Sequence, residues 1–135
     1  MIKVREFWKD AVLQGKKTRS YRPWKRPFRV GSLHECKPGR FAPGFAWVEI
    51  TRVWKQSLGD VTEEDANNNG YPTRAEMLEH FCLTYAKERA MGKSSAWWKE
   101  TLRQVLDRTG QGPDVWCMEF RVADPPAKGS RGRKG

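Results

Sequence analysis

The sequence predicts an α+β domain: a small, mostly antiparallel β-barrel with helices set around it. Three observations carry this expectation. Short β-prone segments dominate the first 54 residues, two amphipathic helical patterns follow, and residues 115–122 read as a final strand. Strands first, helices inserted and a strand to close imply a mostly antiparallel sheet with segregated helices. Short strands around one long central strand close readily on themselves.

Each element has its own signal. Residues 2–5 suit a short first strand. Phe7 to Gln14 suits one short helix, with Phe7, Trp8, Ala11 and Val12 on one side and Gly15 as its stop. Thr18 to Trp24 reads as extended, and Pro23 and Pro27 keep the following stretch irregular. Val30-Gly31-Ser32 is a turn into a strand over Leu33–Lys37. Phe45–Trp54 is the clearest strand, with Trp47 and Glu49 opposite Val48 and Ile50. Thr62 to Asp65 and Thr73 to Glu76 resemble capping boxes. The second opens a helix to about Ala90, with Leu78, Phe81, Cys82 and Tyr85 spaced i, i+3, i+4, i+7. Ser94 or Ser95 caps a third helix with Trp98, Leu102, Val105 and Leu106 inside and Gly110 as its stop. Trp97, 100° from Trp98 around that helix, is left more exposed, as a stacking platform or a lid over the core. Val115–Val122 is the last strand.

One domain over residues 1–123 and a flexible basic tail over 124–135 follow from composition. The stretch DPPAKGSRGRKG holds no apolar side chain larger than Ala. The chain has 135 residues, seven of them Trp, and a formal charge of +10. A single core suits this length, and a polyanionic partner suits this charge. The longest apolar runs are four residues, against about 20 for a membrane helix. No secretory signal and no disulfide framework are legible, so the expected setting is the cytoplasm, with no membrane partner.

The charge is concentrated. Twelve of the first 40 residues are Lys or Arg, and residues 15–29 read GKKTRSYRPWKRPFR, with seven cations and no acid. Tyr21, Trp24 and Phe28 lie among them. Cations bind phosphates, and flat rings stack on unpaired bases at about 1–3 kcal/mol each. The same composition also describes a solvated basic loop whose rings pack inward. The expected binding residues are Lys16, Lys17, Arg19, Tyr21, Arg22, Trp24, Lys25, Arg26 and Arg29, and the expected partner is RNA or single-stranded DNA.

Within this segment Gly15-x-Lys17-x-x-x-x-Arg22 resembles the GxKxxxxR signature of ASCH domains, relatives of the PUA domains. Further blocks resemble that family in order: Val30-Gly31, Ala46 to Val53, Leu58 to Ala66, and Val115 to Phe120. The resemblance spans about residues 1–122. It implies a PUA-like barrel, an RNA-related role, and a cleft lined by Lys17 and Arg22, walled by residues 15–29 and the region from Asn67 to Tyr71. Strand alternation would put positions 17 and 22 on opposite faces, so a bulge or turn is required between them.

Two enzymatic branches of the family bear on the chemistry. One resembles amidohydrolases of N4-acetylcytidine, which use the signature Lys, a Thr three residues later and a Glu. Here Lys17 matches, Ser20 replaces the Thr, and Asn69 stands at the Glu position; an amide cannot shuttle protons at neutral pH. The other is similar to metal-independent ribonucleases of single strands. Lys17, Ser20, Tyr21 and Arg22 have suitable types for it, although this segment holds no His. Binding without chemistry, with Asn69 as a further contact, is the leading expectation. No cofactor is implied. His34-x-Cys36 on a strand would share a face, and His80-x-Cys82 on a helix would not. A zinc site needs three or four converging ligands, so no metal is expected. Residues 77–110 exceed a minimal barrel, and capping the cleft, shaping substrate choice and contacting a partner all stay open.

Overall fold

The computed structural model describes residues 2–4, 8–23 and 28–126. Five strands form one sheet: β1 (Ile2–Lys3), β2 (Arg19–Arg22), β3 (Leu33–Lys37), β4 (Ala46–Ser57) and β5 (Asp114–Ala123), in the order β1-β3-β4-β5-β2. All neighbours are antiparallel except β1 and β3. The helices are α1 (Lys9–Leu13), α2 (Glu63–Asn68), α3 (Arg74–Glu88) and α4 (Ser95–Asp107).

Among the described residues the expected barrel does not close. Its edges would be β1 and β2, which are not paired. Two and four residues offer few ladder bonds, and the approach to β2 is already taken. Thr18 N–H donates to the Asn68 carbonyl at 2.7 Å, and Lys17 bridges to Asn69. The gap between these edges becomes the cleft described below.

Alternation splits the sheet between two cores. Val115, Cys117 and Tyr21 pack with α2, α3 and α4, around Leu58, Leu78 and Trp98. Met118, Phe120, Val48 and Ile50 pack on the other face with Ile2, Val4 and Val12. A register shift between Ile50 and Arg52 keeps Ile50 and Val53 in that second core on either side of the irregularity. Each fully buried large side chain contributes about 1.5–3 kcal/mol. Cys36 lies in the second core, and Cys82 and Cys117 in the first, all as free thiols. Burial pushes the Cys36 thiol up to about 11 and the other two up to about 12.

Local signals explain the helix ends. Gly15 adopts φ +73° directly after α1. Thr62 and Asp65 form the reciprocal capping box of α2, and the Thr73 hydroxyl accepts the Glu76 N–H to start α3. Ser94 caps α4 through the Trp97 N–H. The stop of α4 is Arg108, left-handed at φ 63°, and not Gly110. Leu106, expected inside, is 39% exposed because the buried stripe of α4 is the narrower set Trp98, Thr101 and Val105.

Candidate nucleic-acid interface

The cleft opens between the end of β1, the face of β2 and helix α3, with a volume of about 330 Å³. Lys17 sits at its floor, 8% exposed. The backbone delivers it there. After the Gly15 turn, the N–H groups of Lys16 and Lys17 both donate to the Ala11 carbonyl, and Lys17 then bridges to Asn69. The Lys17 ammonium donates to the Asn69 carbonyl at 3.0 Å and, more closely, to the Asn69 side-chain oxygen. It also lies 4.9 Å from the centroid of the Trp8 ring. Burial, followed by the positive charge of Arg22, lowers its pKa from 10.5 to about 7. Lys17 therefore changes charge near neutrality, as a compact ammonium can and a guanidinium cannot.

Asn69 is the C-cap of α2, itself 6% exposed. Its side chain holds Lys17 in the position where the amidohydrolase pattern would place a carboxylate. Gly70 turns the chain at φ +89°, and a Cβ there would lie 2.6 Å from the Trp8 ring. Glycine is required twice over, for the backbone conformation and for the close approach of Trp8. Asn67 fixes the same turn by donating its amide to the carbonyls of Tyr71 and Pro72 at 2.9 and 3.1 Å.

Beyond the turn, Tyr71 meets Trp8 edge-on at 5.0 Å, and its hydroxyl hydrogen-bonds His80 Nδ1. Helix α3 supplies His80, Thr84, Tyr85 and Glu88 to the wall opposite β2. Their spacing places them on one helical stripe. Residues 77–88 thus cap the cleft. Trp8, His80, Tyr85 and Glu88 were not among the residues expected at the site, although His80 carries a legible signal, three positions beyond Met77 on the inward stripe.

Strand β2 divides the basic segment by alternation. Ser20 and Arg22 line the cleft, with Arg22 Nε donating to Ser20 Oγ at 3.4 Å. Arg22 forms no ion pair among the described residues, so its guanidinium can grip a phosphate with parallel hydrogen bonds. Lys17 precedes the strand and pairs with Asn69, so it reaches the cleft without the bulge or turn expected between positions 17 and 22. Arg19 faces the other way. Its guanidinium bonds Asp65 at 2.5 Å and Glu119 at 3.2 Å and packs on Trp54. Tyr21 borders the cleft, but its hydroxyl is buried beside Arg19 and Cys117. Burial raises its pKa further above the ordinary tyrosine value. Lys16 and Arg29 are exposed outside the cleft lining. Trp24, Lys25 and Arg26 lie outside the described residues.

Other expectations resolve as packing. His34 and Cys36 do share a face and are both buried. His34 Nε2 meets Ser32 Oγ at 2.8 Å, and its ring stacks on Phe28 at 3.8 Å. Burial lowers the His34 pKa to about 4. No group of three or more metal-binding side chains converges among the described residues. Trp97 is half-buried and packs at right angles against Trp98, a lid over the first core with Lys93 above it. Among the described residues, no helix is long and apolar enough to cross a membrane.

The chain is thus an α+β domain with a core on each face of one sheet and a cleft beside Lys17. No family model and no curated protein matches the chain. Solved structures do. A protein from Enterococcus faecalis described under the family model DUF984 superposes with a TM-score of 0.63 at 16% identity, covering 87% of this chain and 68% of its own. A mutant ASCH protein from Zymomonas mobilis gives 0.51 at 9% identity, covering 93% and 72%. An ASCH domain from Lactobacillus crispatus gives 0.49 at 21% identity, covering 86% and 70%. The resemblance read from the sequence blocks is matched, at the level of fold, by the Zymomonas mobilis protein.

Proposed function

We infer that the chain binds single-stranded nucleic acid, RNA foremost, and that the cleft receives one unpaired nucleotide. The observation that carries this reading is the pairing of Lys17 and Arg22 in one aromatic-walled cleft. Its volume lies within the range of small-ligand sites. Arg22 supplies a permanent cation for a phosphate. Lys17 supplies a second charge that an arriving anion stabilises. Tyr71, Tyr85 and Trp8 offer ring surface to a base, and Asn69 and His80 offer polar edges. The remaining basic residues, Lys16 and Arg29 among them, add sequence-independent attraction. The test is retention of a labelled single-stranded RNA. Affinity falls with salt at a log–log slope of roughly −0.7 per phosphate contact. Lys17→Ala combined with Arg22→Ala lowers affinity about 100-fold while the protein still unfolds in one cooperative transition. Salt-independent binding would contradict the reading.

A second reading is favoured by one observation: His80, bonded to Tyr71, shares the cleft with a lysine whose pKa is near neutral. That set can cleave RNA without metal. Neutral Lys17 takes the 2′-hydroxyl proton, the 2′-oxygen bonds to phosphorus, and Arg22 offsets the charge of the phosphorane. The P–O5′ bond breaks as the His80–Tyr71 pair returns a proton to O5′. His80 stands in for Tyr21, whose hydroxyl is buried in the core. Shortened RNA ending in a 2′,3′-cyclic phosphate, formed in EDTA and lost in Lys17→Ala, supports it. Intact RNA bound with wild-type affinity excludes it.

A further inference from the structure

The cleft face of the sheet continues past Arg22. Register places Arg22 opposite Trp116 and Trp116 opposite Lys55, so the three form one row across β2, β5 and β4. Directly opposed residues of antiparallel strands project to the same face, and two inter-strand spacings give the row a length of about 10 Å. Trp116 is half-buried, yet it belongs to neither core. The Lys55 ammonium lies 5.5 Å from its ring centroid and is exposed. The acid nearest along this face, Asp114, is engaged by the Ser57 hydroxyl at 3.4 Å and marks the end of the strip. The row on the opposite face is different. There Glu119 stands between Arg19 and Arg52, and the cations are covered by Asp65, Glu119 and Trp54.

We propose that the row Arg22–Trp116–Lys55 is a second nucleotide subsite, which takes the base and phosphate adjoining the nucleotide held in the cleft. The inference rests on the cleft reading above. Arg22 belongs to both sites and bridges them through the shared phosphate. The Trp116 ring stacks on the neighbouring base, and Lys55 leaves the ring to meet the next phosphate. The ligand class is a single strand of at least two nucleotides, and duplex is disfavoured because its bases are already stacked.

The experiment compares decauridylate binding, by anisotropy across a salt series, with contact to uridine 5′-monophosphate, by NMR shifts. Trp116→Ala weakens the decamer about tenfold, and Trp116→Phe retains most of the affinity. Lys55→Ala, at an exposed site, makes the salt slope shallower by about 0.7. Neither alanine variant changes contact with the mononucleotide. Wild-type decamer affinity in both alanine variants, with loss in Lys17→Ala, overturns the second subsite and leaves the cleft standing. Equal losses in Trp116→Ala and Trp116→Phe with a lowered melting temperature assign Trp116 to packing and overturn it as well. Failure of the wild type to hold the decamer overturns the cleft reading and this inference together.

Discussion

Strand β2 presents two unlike faces from four consecutive residues. Arg19 and Tyr21 turn toward the helices, where Asp65 and Glu119 hold the guanidinium and the core encloses the tyrosine hydroxyl. Ser20 and Arg22 turn toward the cleft, where Lys17 is the near neighbour. The same composition therefore serves stability on one side and ligand attraction on the other. A count of cations along a sequence overstates the binding surface by whatever fraction is already paired.

The largest expected effect comes from emptying the cleft face. Lys17→Ala with Arg22→Ala lowers affinity for single-stranded RNA by about 100-fold, or about 2.7 kcal/mol, in a binding titration at fixed salt. A loss under threefold would erase the distinction between the faces.

Next comes pH. Lys17 is held near 7 in the folded chain against an ordinary 10.5, so above pH 7 the unfolded chain binds the extra proton. Stability then rises with pH across pH 6–8.5, on the order of 2 kcal/mol, and the contribution is lost as pH falls through 7. RNA affinity runs the other way, strongest where Lys17 is charged. Urea midpoints and binding curves for wild type and Lys17→Met check both slopes. Flattening of both in the variant separates Lys17 from His80, which shares the cleft.

Arg19→Ala tests the helix face. It leaves Asp65 and Glu119 without their shared cation, so the urea midpoint falls by the equivalent of about 1–2 kcal/mol. Affinity per folded molecule stays within twofold of wild type. A binding loss as large as that of Arg22→Ala would move Arg19 to the ligand side. The smallest effect belongs to Lys16→Ala. This exposed cation contributes screened attraction only, and its removal changes affinity less than threefold, with the difference vanishing at high salt.

Much of the fold was legible because its signals are local. Leu33–Lys37 matches β3 residue for residue, Thr62 and Ser94 cap the helices they precede, and Gly15 ends α1. The unclosed barrel was not legible, since closure depends on whether β1 and β2 meet, and no residue in either strand encodes its partner. Arg108 takes the left-handed stop ahead of Gly110, a conformation that propensity assigns to glycine. In the candidate site, the resemblance to GxKxxxxR picked out Lys17 and Arg22, the amidohydrolase pattern picked out Asn69, and all three line the cleft. Trp8 escaped because it was read only for the apolar side of a short helix, whereas it enters the space left by Gly70, and His80 because its helix was read for its apolar stripe.

The three thiols give the protein a built-in report on its own breathing. Each core hides at least one, and deep burial keeps each sulfur protonated and out of reach. A thiol reagent therefore modifies Cys36 only when the β1 side opens, and Cys82 or Cys117 only when the helical side opens. Mass spectrometry of the labelled peptides then times the two halves of the molecule separately, without any engineered probe.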